Sequence, residues 1–226
     1  MTRTKLKRLS KVKELPNVFS LETAERQNTI QEYFKSKNIF TLEIGCGHGD
    51  YSVELAQKYP QRNFVGLDIK GARVFQGAMK AIHQKLGNVA FIIGKAEKLN
   101  EIFPAKSIEE IYIAFPDPHI RRTNQNRRLI SPNFLKIYKD LLIASGIIHF
   151  KTDNQSLYEY TLRIISSAAT ATAFTLNLLL TAGLKTTQAI KISVTDCTSC
   201  FQTEIIMKTM SSAKTARVLL LCTPKM

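Results

Sequence analysis

The sequence predicts an α/β fold in which a mostly parallel sheet carries helices on both faces. Apolar segments typical of strands alternate with helical segments from Phe40 to Lys151. A glycine-rich turn follows the first of these strands, within FTLEIGCGHGD at 40–50. The length of 226 residues suits one such domain with a single core. We also expect an antiparallel edge strand near the C-terminus.

The chain begins with a basic segment. Residues 1–15 hold six cations and one acid, Glu14, which predicts a mobile basic arm that contacts phosphates or is simply a solvated tail. These cations interrupt any apolar stretch that could serve as a signal peptide. Residues 16–226 are predicted to form one domain, and it opens with a helix at Leu21–Lys37, after Pro16.

The elements that follow are predicted in chain order. The strands are Phe40–Ile44, Phe64–Asp68, Val89–Ile93, Glu110–Phe115 and Gly146–Lys151. The helices between them are Tyr51–Tyr59, Ala72–Lys85 and Pro132–Leu142. The last third is predicted to hold a helix at Gln155–Ala169 and strands at Phe174–Leu180, Ala189–Val194 and Thr215–Cys222.

The glycine turn indicates which ligand the sheet would bind. Gly45, Gly47 and Gly49 are spaced by single residues, and Glu43 precedes them inside the strand. A dinucleotide fingerprint has a different spacing, and a carboxylate at this point would repel a pyrophosphate. A carboxylate suits a ligand with an ammonium and a sulfonium instead. The turn resembles motif I of class I S-adenosylmethionine (SAM) methyltransferases, although an ordinary strand-to-helix connection would also contain glycine.

Four acids lie at or just past the ends of four predicted strands: Glu43, Asp68, Asp117 and Asp153. Ligands of parallel sheets bind outside the carboxyl ends of the strands, so we expect these side chains to converge. Asp68 ends the second strand, close to the position about 20 residues downstream where such folds place a ribose-diol acceptor.

The loop after the fourth strand combines an acid with arginines. Pro116 and Pro118 flank Asp117 and stiffen its backbone. Four arginines follow, at 121, 122, 127 and 128. Guanidinium groups match phosphate geometry and stack on bases, so the loop suits nucleic-acid chemistry; a solvated charged loop is the alternative.

Composition limits the partners. The net charge of +14 and the pI near 9.7 favour a polyanionic partner, nucleic acid or an anionic membrane surface. Four cysteines with a single C-x-x-C at 197–200 predict neither a disulfide framework nor a zinc site, and indicate a cytoplasmic protein with reduced thiols. The uncharged stretch at 164–184 is rich in Ser, Thr and Asn, which favours a helix and a buried strand over a membrane span.

Four motifs occur in order between about Val18 and Tyr160: LEIGCGHG, the strand-ending Asp68, FPDP followed by basic residues and RRL, and IHFKTD. Together they resemble the tRNA (guanine-N7)-methyltransferase family. The resemblance implies a Rossmann-like, cytoplasmic enzyme that uses SAM to methylate guanine N7 in tRNA, in the variable loop, by in-line transfer. It implies no metal and no membrane, and leaves a monomer or a homodimer open.

The resemblance also implies roles for individual residues. The implied catalytic residue is Asp117, which is also one of the implied cofactor contacts with Glu43, Gly45, Gly47, Asp68 and Lys95. The implied substrate contacts are Arg121, Asp153, Ser199 and Gln202. Lys95 stands where the family has an acidic or amide residue, and Ser199 and Gln202 replace the ends of its late T-x-F/Y-E motif.

Two other functions stay open from the residues alone. One is a SAM methyltransferase that acts on another RNA or on a small molecule. The other is a non-catalytic RNA-binding protein with a decayed SAM pocket. A nicotinamide oxidoreductase is disfavoured by Glu43 and by the glycine spacing.

Overall fold

The computed structural model describes residues 3–20, 26–35, 39–171, 177–182, 188–194, 202–209 and 215–221. It divides into two compact units. The first unit comprises residues 1–112 and 140–143, and the second comprises residues 113–139 and 144–226.

The first unit is built on parallel strands. They are β1 (Val18–Ser20), β2 (Phe40–Ile44), β3 (Asn63–Asp68), β4 (Val89–Ile93) and the first residues of β5 (Ile108–Ala114). Their spatial order is β1-β4-β3-β2-β5, and every pairing is parallel. Since β2 lies inside this order, it is buried along its whole length, and its apolar residues are Phe40, Leu42 and Ile44.

Four helices accompany this sheet: α1 (Arg3–Lys11), α2 (Arg26–Phe34), α3 (Asp50–Lys58) and α4 (Gly71–His83). Short 3-10 helices lie at Val12–Glu14 and Ala96–Glu101. Phe34 of α2 contacts Phe40 of β2, which in turn contacts Phe103, and these rings form part of the core.

A second group of core residues lies between the sheet, α3 and α4, around the ring of Phe91. Gly66 of β3 lies beside Phe91 in the strand register. A Cβ built on Gly66, Gly77 or Gly49 would approach the Phe91 ring far more closely than real Cβ atoms do. The three glycines therefore let one aromatic ring fill the space beneath the turn that leads into α3.

The second unit holds the helix α6 (Gln155–Ala171) and most of α5 (Pro132–Leu141) and β6 (Leu142–Thr152). It also holds β7 (Asn177–Ala182), β8 (Gln188–Val194), β9 (Gln202–Thr209) and β10 (Thr215–Leu221). The strands β6 and β7 pair in parallel, whereas the three pairings from β7 to β10 are antiparallel.

The predicted α/β class with its parallel sheet is confirmed, and the strands predicted at 40–44 and 89–93 have the observed bounds. Among the α-helices and strands that the structure describes, α1, β1 and β9 were not predicted. Within the predicted basic arm, residues 3–11 are helical and Val12 is buried in the core, because Leu9 and Val12 pack near Gly71 at the start of α4. The mobility of that segment stays a prediction.

Candidate functional site

The glycine turn after β2 is hydrogen-bonded to the end of β3. The backbone N–H groups of Gly45 and Cys46 both donate to the carbonyl of Leu67, at 2.8 and 3.0 Å. The turn closes with a bond from the Gly49 N–H to the Cys46 carbonyl, and α3 begins at the next residue. Backbone hydrogen bonds therefore join the carboxyl ends of β2 and β3 in the first unit.

Glu43 is buried at the end of β2, with 8% of its surface exposed. Its Oε2 accepts hydrogen bonds from both the backbone N–H and the hydroxyl of Ser52, in the first turn of α3. Burial raises the pKa of Glu43 to about 7, and nearby Asp50 and Asp68 add to the effect, while the two bonds from Ser52 oppose it. The sequence predicted the carboxylate at this turn but not its bond to the helix.

Asp68 is buried at the end of β3, and both of its oxygens accept backbone hydrogen bonds. Oδ2 accepts from the Gly47 N–H at 3.0 Å, and Oδ1 accepts from the Lys70 N–H at 2.8 Å, just before α4. The side chain thus shapes two segments that border the site. Each oxygen has a second lone pair with which to accept a bond from a ligand.

Gly47 and Gly49 both have positive φ, of 57° and 72°, but their surroundings differ. A Cβ on Gly47 would meet nothing within 4 Å, whereas a Cβ on Gly49 would collide with Phe91. The backbone at Gly47 is therefore open to a ligand, and it is hydrogen-bonded to Asp68, which lies near enough to the second acid, Glu43, to affect its pKa. Two carboxylates beside an open glycine backbone fit a ligand that carries positive charge, as SAM does.

Lys95 follows β4, the next strand in the order, and its side chain is exposed. The Gly94 N–H donates to the Asp68 carbonyl at 3.1 Å, which links this segment to the end of β3. Glu43, Asp68 and Lys95 thus lie at or just past three adjacent strand ends of one unit.

In the second unit, a backbone bond joins the segments that carry the other two acids. The Phe115 N–H donates to the Lys151 carbonyl at 2.8 Å, two residues before Asp117 and two before Asp153. Both acids are exposed. Asp153 follows the buried Thr152. The next residue, Asn154, caps α6, because its Oδ1 accepts a hydrogen bond from the Leu157 N–H. The meeting of all four acids in one site stays a prediction.

Asp117 forms a local turn with His119. Its Oδ1 accepts the His119 N–H at 3.0 Å and lies 3.7 Å from the Nδ1 atom of the same histidine. The carboxylate nevertheless stays 74% exposed. The hydrogen bond therefore restrains the side chain without burying it, which leaves the carboxylate accessible to a ligand.

The arginines of this loop do not share one environment. Arg121 and Arg127 are exposed at the two ends of a 3-10 turn, Arg122–Arg127, in accord with phosphate contact. Arg128 was predicted to hold phosphate as well, and this was wrong. Arg128 is 4% exposed, and its guanidinium donates to the carbonyls of Pro118 and His119. Burial excludes it from a nucleic-acid surface.

The remaining predicted contacts are less informative. Ser199 lies outside the described residues. Gln202 opens β9 and is paired with Leu221 of β10. Among the described residues, no group of three or more His, Cys, Asp and Glu side chains could hold a metal ion. Nor does any helix in that part of the chain have the length and apolar character needed to cross a membrane.

Sequence reasoning did not find Ser52, and it gave Arg128 a different role from the one that the structure shows. Ser52 carried a usable signal, because the backbone N–H groups in the first turn of a helix have no intrahelical partner and favour a carboxylate. Arg128 carried none, since the second arginine of an R-R pair reads as solvated until its burial is known.

Comparison with known proteins supplies the chemical context. A family described as "Putative methyltransferase" matches residues 37–196. A tRNA (guanine-N(7)-)-methyltransferase of Cytophaga hutchinsonii is 39% identical over 74% of this chain and 76% of its own. One of Christiangramia forsetii is 43% identical over 66% of this chain, and the alignment spans 65% of that relative's length.

Solved structures also align. The antibiotic-resistance methyltransferase Kmr is 16% identical over 56% of this chain and 65% of its own, with a TM-score of 0.46.

Proposed function

Because this chain belongs to the tRNA (guanine-N(7)-)-methyltransferase family, we propose that it transfers the methyl group of SAM to N7 of a guanine in tRNA. The structural observation that carries the proposal is the pair of buried carboxylates, Glu43 and Asp68, beside the open backbone of Gly47. We place the reaction in the cytoplasm, where tRNA is modified, and the guanine in the variable loop of the tRNA.

The first unit would bind the methyl donor. Glu43 offers a negative charge to its ammonium or sulfonium, and Asp68 offers lone pairs to the hydroxyls of its ribose. Gly45 and Gly47 let the backbone approach closely, and Lys95 lies where the family resemblance implies contact with the adenine. When bound, SAM supplies a methyl group on a positively charged sulfur, which is already activated for transfer.

The second unit would hold the guanine. Guanine N7 carries a free lone pair and no proton at neutral pH, so its methylation needs positioning rather than a strong base. We assign Asp117 to accept hydrogen bonds from the guanine N1–H and N2 amino group through its exposed carboxylate. The same negative charge stabilises the purinium cation that forms at N7.

The loop around Asp117 would hold the rest of the tRNA. Arg121 and Arg127 are exposed and can bind phosphates, and Asp153 is assigned to the substrate side. The net charge of +14 supplies the field that attracts the nucleic acid. Ser199 and Gln202 keep the substrate role that the family resemblance implies.

The test is product mapping. The protein is incubated with unmodified tRNA transcripts and methyl-labelled SAM, and the tRNA is then cleaved chemically at 7-methylguanosine. A single guanine in the variable loop is the expected site. Label on another base or another RNA would replace the assigned substrate, and SAM binding without any transfer would favour a non-catalytic RNA-binding protein.

A further inference from the structure

We propose that Arg128 is a positioning residue for Asp117: its guanidinium fixes the backbone that carries the carboxylate. The inference rests on the proposed function, because it concerns the part assigned to Asp117 in methyl transfer. It replaces the phosphate contact that the sequence suggested for Arg128.

The guanidinium of Arg128 forms hydrogen bonds with the backbone carbonyls of the two residues directly after Asp117. Its Nε donates to the Pro118 carbonyl at 2.9 Å, and a terminal nitrogen donates to the His119 carbonyl at 3.3 Å. Two donors of one planar group thus hold two consecutive carbonyls. A lysine has a single ammonium and would not hold both in the same geometry.

His119 connects Arg128 to the carboxylate of Asp117. Its carbonyl accepts from Arg128, and its N–H donates to the Asp117 Oδ1 at 3.0 Å. Both polar groups of one peptide residue are therefore used, one by the buried cation and one by the exposed acid. Movement of the His119 backbone would change the direction in which the Asp117 carboxylate points.

Arg128 itself is fixed from two sides. Its guanidinium carbon lies 4.2 Å from the centre of the Tyr160 ring, on α6, which is within the range of a cation–π interaction. Its backbone N–H donates to the Gln125 carbonyl, and its carbonyl accepts from the N–H of the fully buried Ser131. A guanidinium fixed in this way can in turn fix the backbone of residues 118 and 119, which it contacts.

The loop also needs such a restraint, because its backbone is strained. Phe115 and His119, on either side of Asp117, have φ values of 49° and 43°. Non-glycine residues in this region cost roughly 1 kcal/mol or more each, and they persist only where surrounding contacts enforce them. The two bonds from Arg128 are contacts of that kind.

In the described part of the chain, Arg128 forms no ion pair with a carboxylate. A buried cation is costly unless its donors are satisfied, and here backbone carbonyls and an aromatic face satisfy them. A residue kept only for stability could be apolar at this position. The planar set of donors is what two consecutive carbonyls require, and no apolar side chain supplies it.

The experiment compares Arg128→Lys with Arg163→Lys, a matched change at an exposed position of α6. Three quantities are measured on the full chain: the single-turnover methylation rate at saturating tRNA and SAM, the Kd for tRNA, and amide hydrogen exchange in the peptide 115–121. For Arg128→Lys we expect a rate about 10-fold or more lower, a Kd within about 3-fold, and exchange about 10-fold faster. Arg163→Lys should leave all three unchanged.

A double-mutant cycle separates positioning from general stability. If Arg128 acts through Asp117, Arg128→Lys should cost little further rate in the Asp117→Ala background. Where Arg128→Lys does not fold, Tyr160→Leu removes the ring beneath the guanidinium and should raise exchange in the same peptide and slow turnover.

The outcomes are distinct. An active wild type with unchanged rate and exchange in Arg128→Lys overturns the inference alone. A weaker tRNA Kd with an unchanged saturated rate also overturns it, because Arg128 would then contact the nucleic acid. A wild type that methylates no guanine overturns the proposed function itself, and the positioning role with it.

Discussion

The Oδ2 atom of Asp68 accepts a hydrogen bond from the backbone N–H of Gly47 at 3.0 Å. Asp68, the last residue of β3, therefore fixes the backbone of Gly47 in the turn that follows β2. The same carboxylate, through Oδ1, accepts from the Lys70 N–H before α4. One side chain thus shapes both backbone segments that a ligand at this strand end would meet.

Replacing Asp68 by Asn should weaken both the turn and cofactor binding. An amide presents one acceptor and one donor group, so one of the two backbone N–H groups would lose its partner. We expect a loss of about 1–2 kcal/mol in the free energy of unfolding and at least a 10-fold weaker Kd for SAM. Urea denaturation and titration calorimetry measure the two. Asp140→Asn, at an exposed position of the same unit, is the control. Wild-type SAM affinity in Asp68→Asn would remove Asp68 from the cofactor contacts.

Replacing Glu43 by Gln should stabilise the protein at pH 8 while weakening SAM binding. The pKa of Glu43 rises from 4.5 to about 7 on folding, mainly through burial. Between those values the unfolded chain loses its proton first, so the stability of the wild type falls as the pH rises and levels off above 7. Gln keeps an acceptor for Ser52 without the charge. The gain at pH 8 is of the order of 3 kcal/mol at most and should vanish near pH 4.5.

Denaturation of both proteins at pH 5 and pH 8 tests this. A variant that is less stable than the wild type at both values would mean that the charged carboxylate contributes more through Ser52 than its burial costs. The SAM titration is the second readout, because only loss of a ligand contact predicts weaker binding in a more stable protein.

SAM binding should release a proton near neutral pH. A positively charged ligand beside Glu43 favours the ionised carboxylate and lowers its pKa below about 7. The affinity should therefore rise with pH and level off above pH 7. Calorimetry in buffers of different ionisation enthalpy measures the proton directly. Glu43→Gln should abolish the release, and an unchanged release in that variant would assign it to another group.

Much of the first unit could be predicted from sequence. The strands β2, β3 and β4 are short, mostly apolar segments that end at an acid or directly before a glycine, and these signals are local. The positions of Glu43 and Asp68 could be predicted as well, because the carboxyl ends of parallel strands lie at the same edge of the sheet. The helix α1 could not be predicted, since its run of cations indicates a solvated segment, and only the packing of Leu9 and Val12 near Gly71 places it against α4.

The loop of the second unit shows the limit of local reading. Arg121, Arg127 and Arg128 are identical in chemistry and close in sequence, yet only the third is buried. What distinguishes it is the ring of Tyr160 and the carbonyls of Pro118 and His119, and nothing in the spacing of the arginines reports these contacts.

Alanine at Gly47 and at Gly49 should have different effects. Both positions have positive φ, so an alanine at either one costs about 1 kcal/mol in backbone strain. Gly47→Ala adds a methyl group in open space, so the protein should fold and lose SAM affinity. Gly49→Ala adds a collision with Phe91 and should cost about 1–3 kcal/mol more, the order seen for overpacked cores.

Urea denaturation and SAM titration of both variants provide the measurement. The control is Phe91→Leu, which should recover part of the stability of Gly49→Ala and none of the SAM affinity of Gly47→Ala. Full SAM binding by Gly47→Ala would mean that the ligand does not approach this backbone.

Replacing Arg121 or Arg127 by Gln should weaken tRNA binding and reduce its dependence on salt. Each exposed guanidinium that neutralises a phosphate releases about one counterion, so the slope of log K against log salt should become shallower by about one per arginine. The saturated methylation rate should change little, because neither residue is assigned to the reacting base. Binding isotherms between about 50 and 200 mM salt measure the slope, and Lys136→Gln, an exposed change on α5, is the control for general loss of charge. An equal change of slope in the control would show that the basic surface as a whole, rather than the loop after Asp117, grips the nucleic acid.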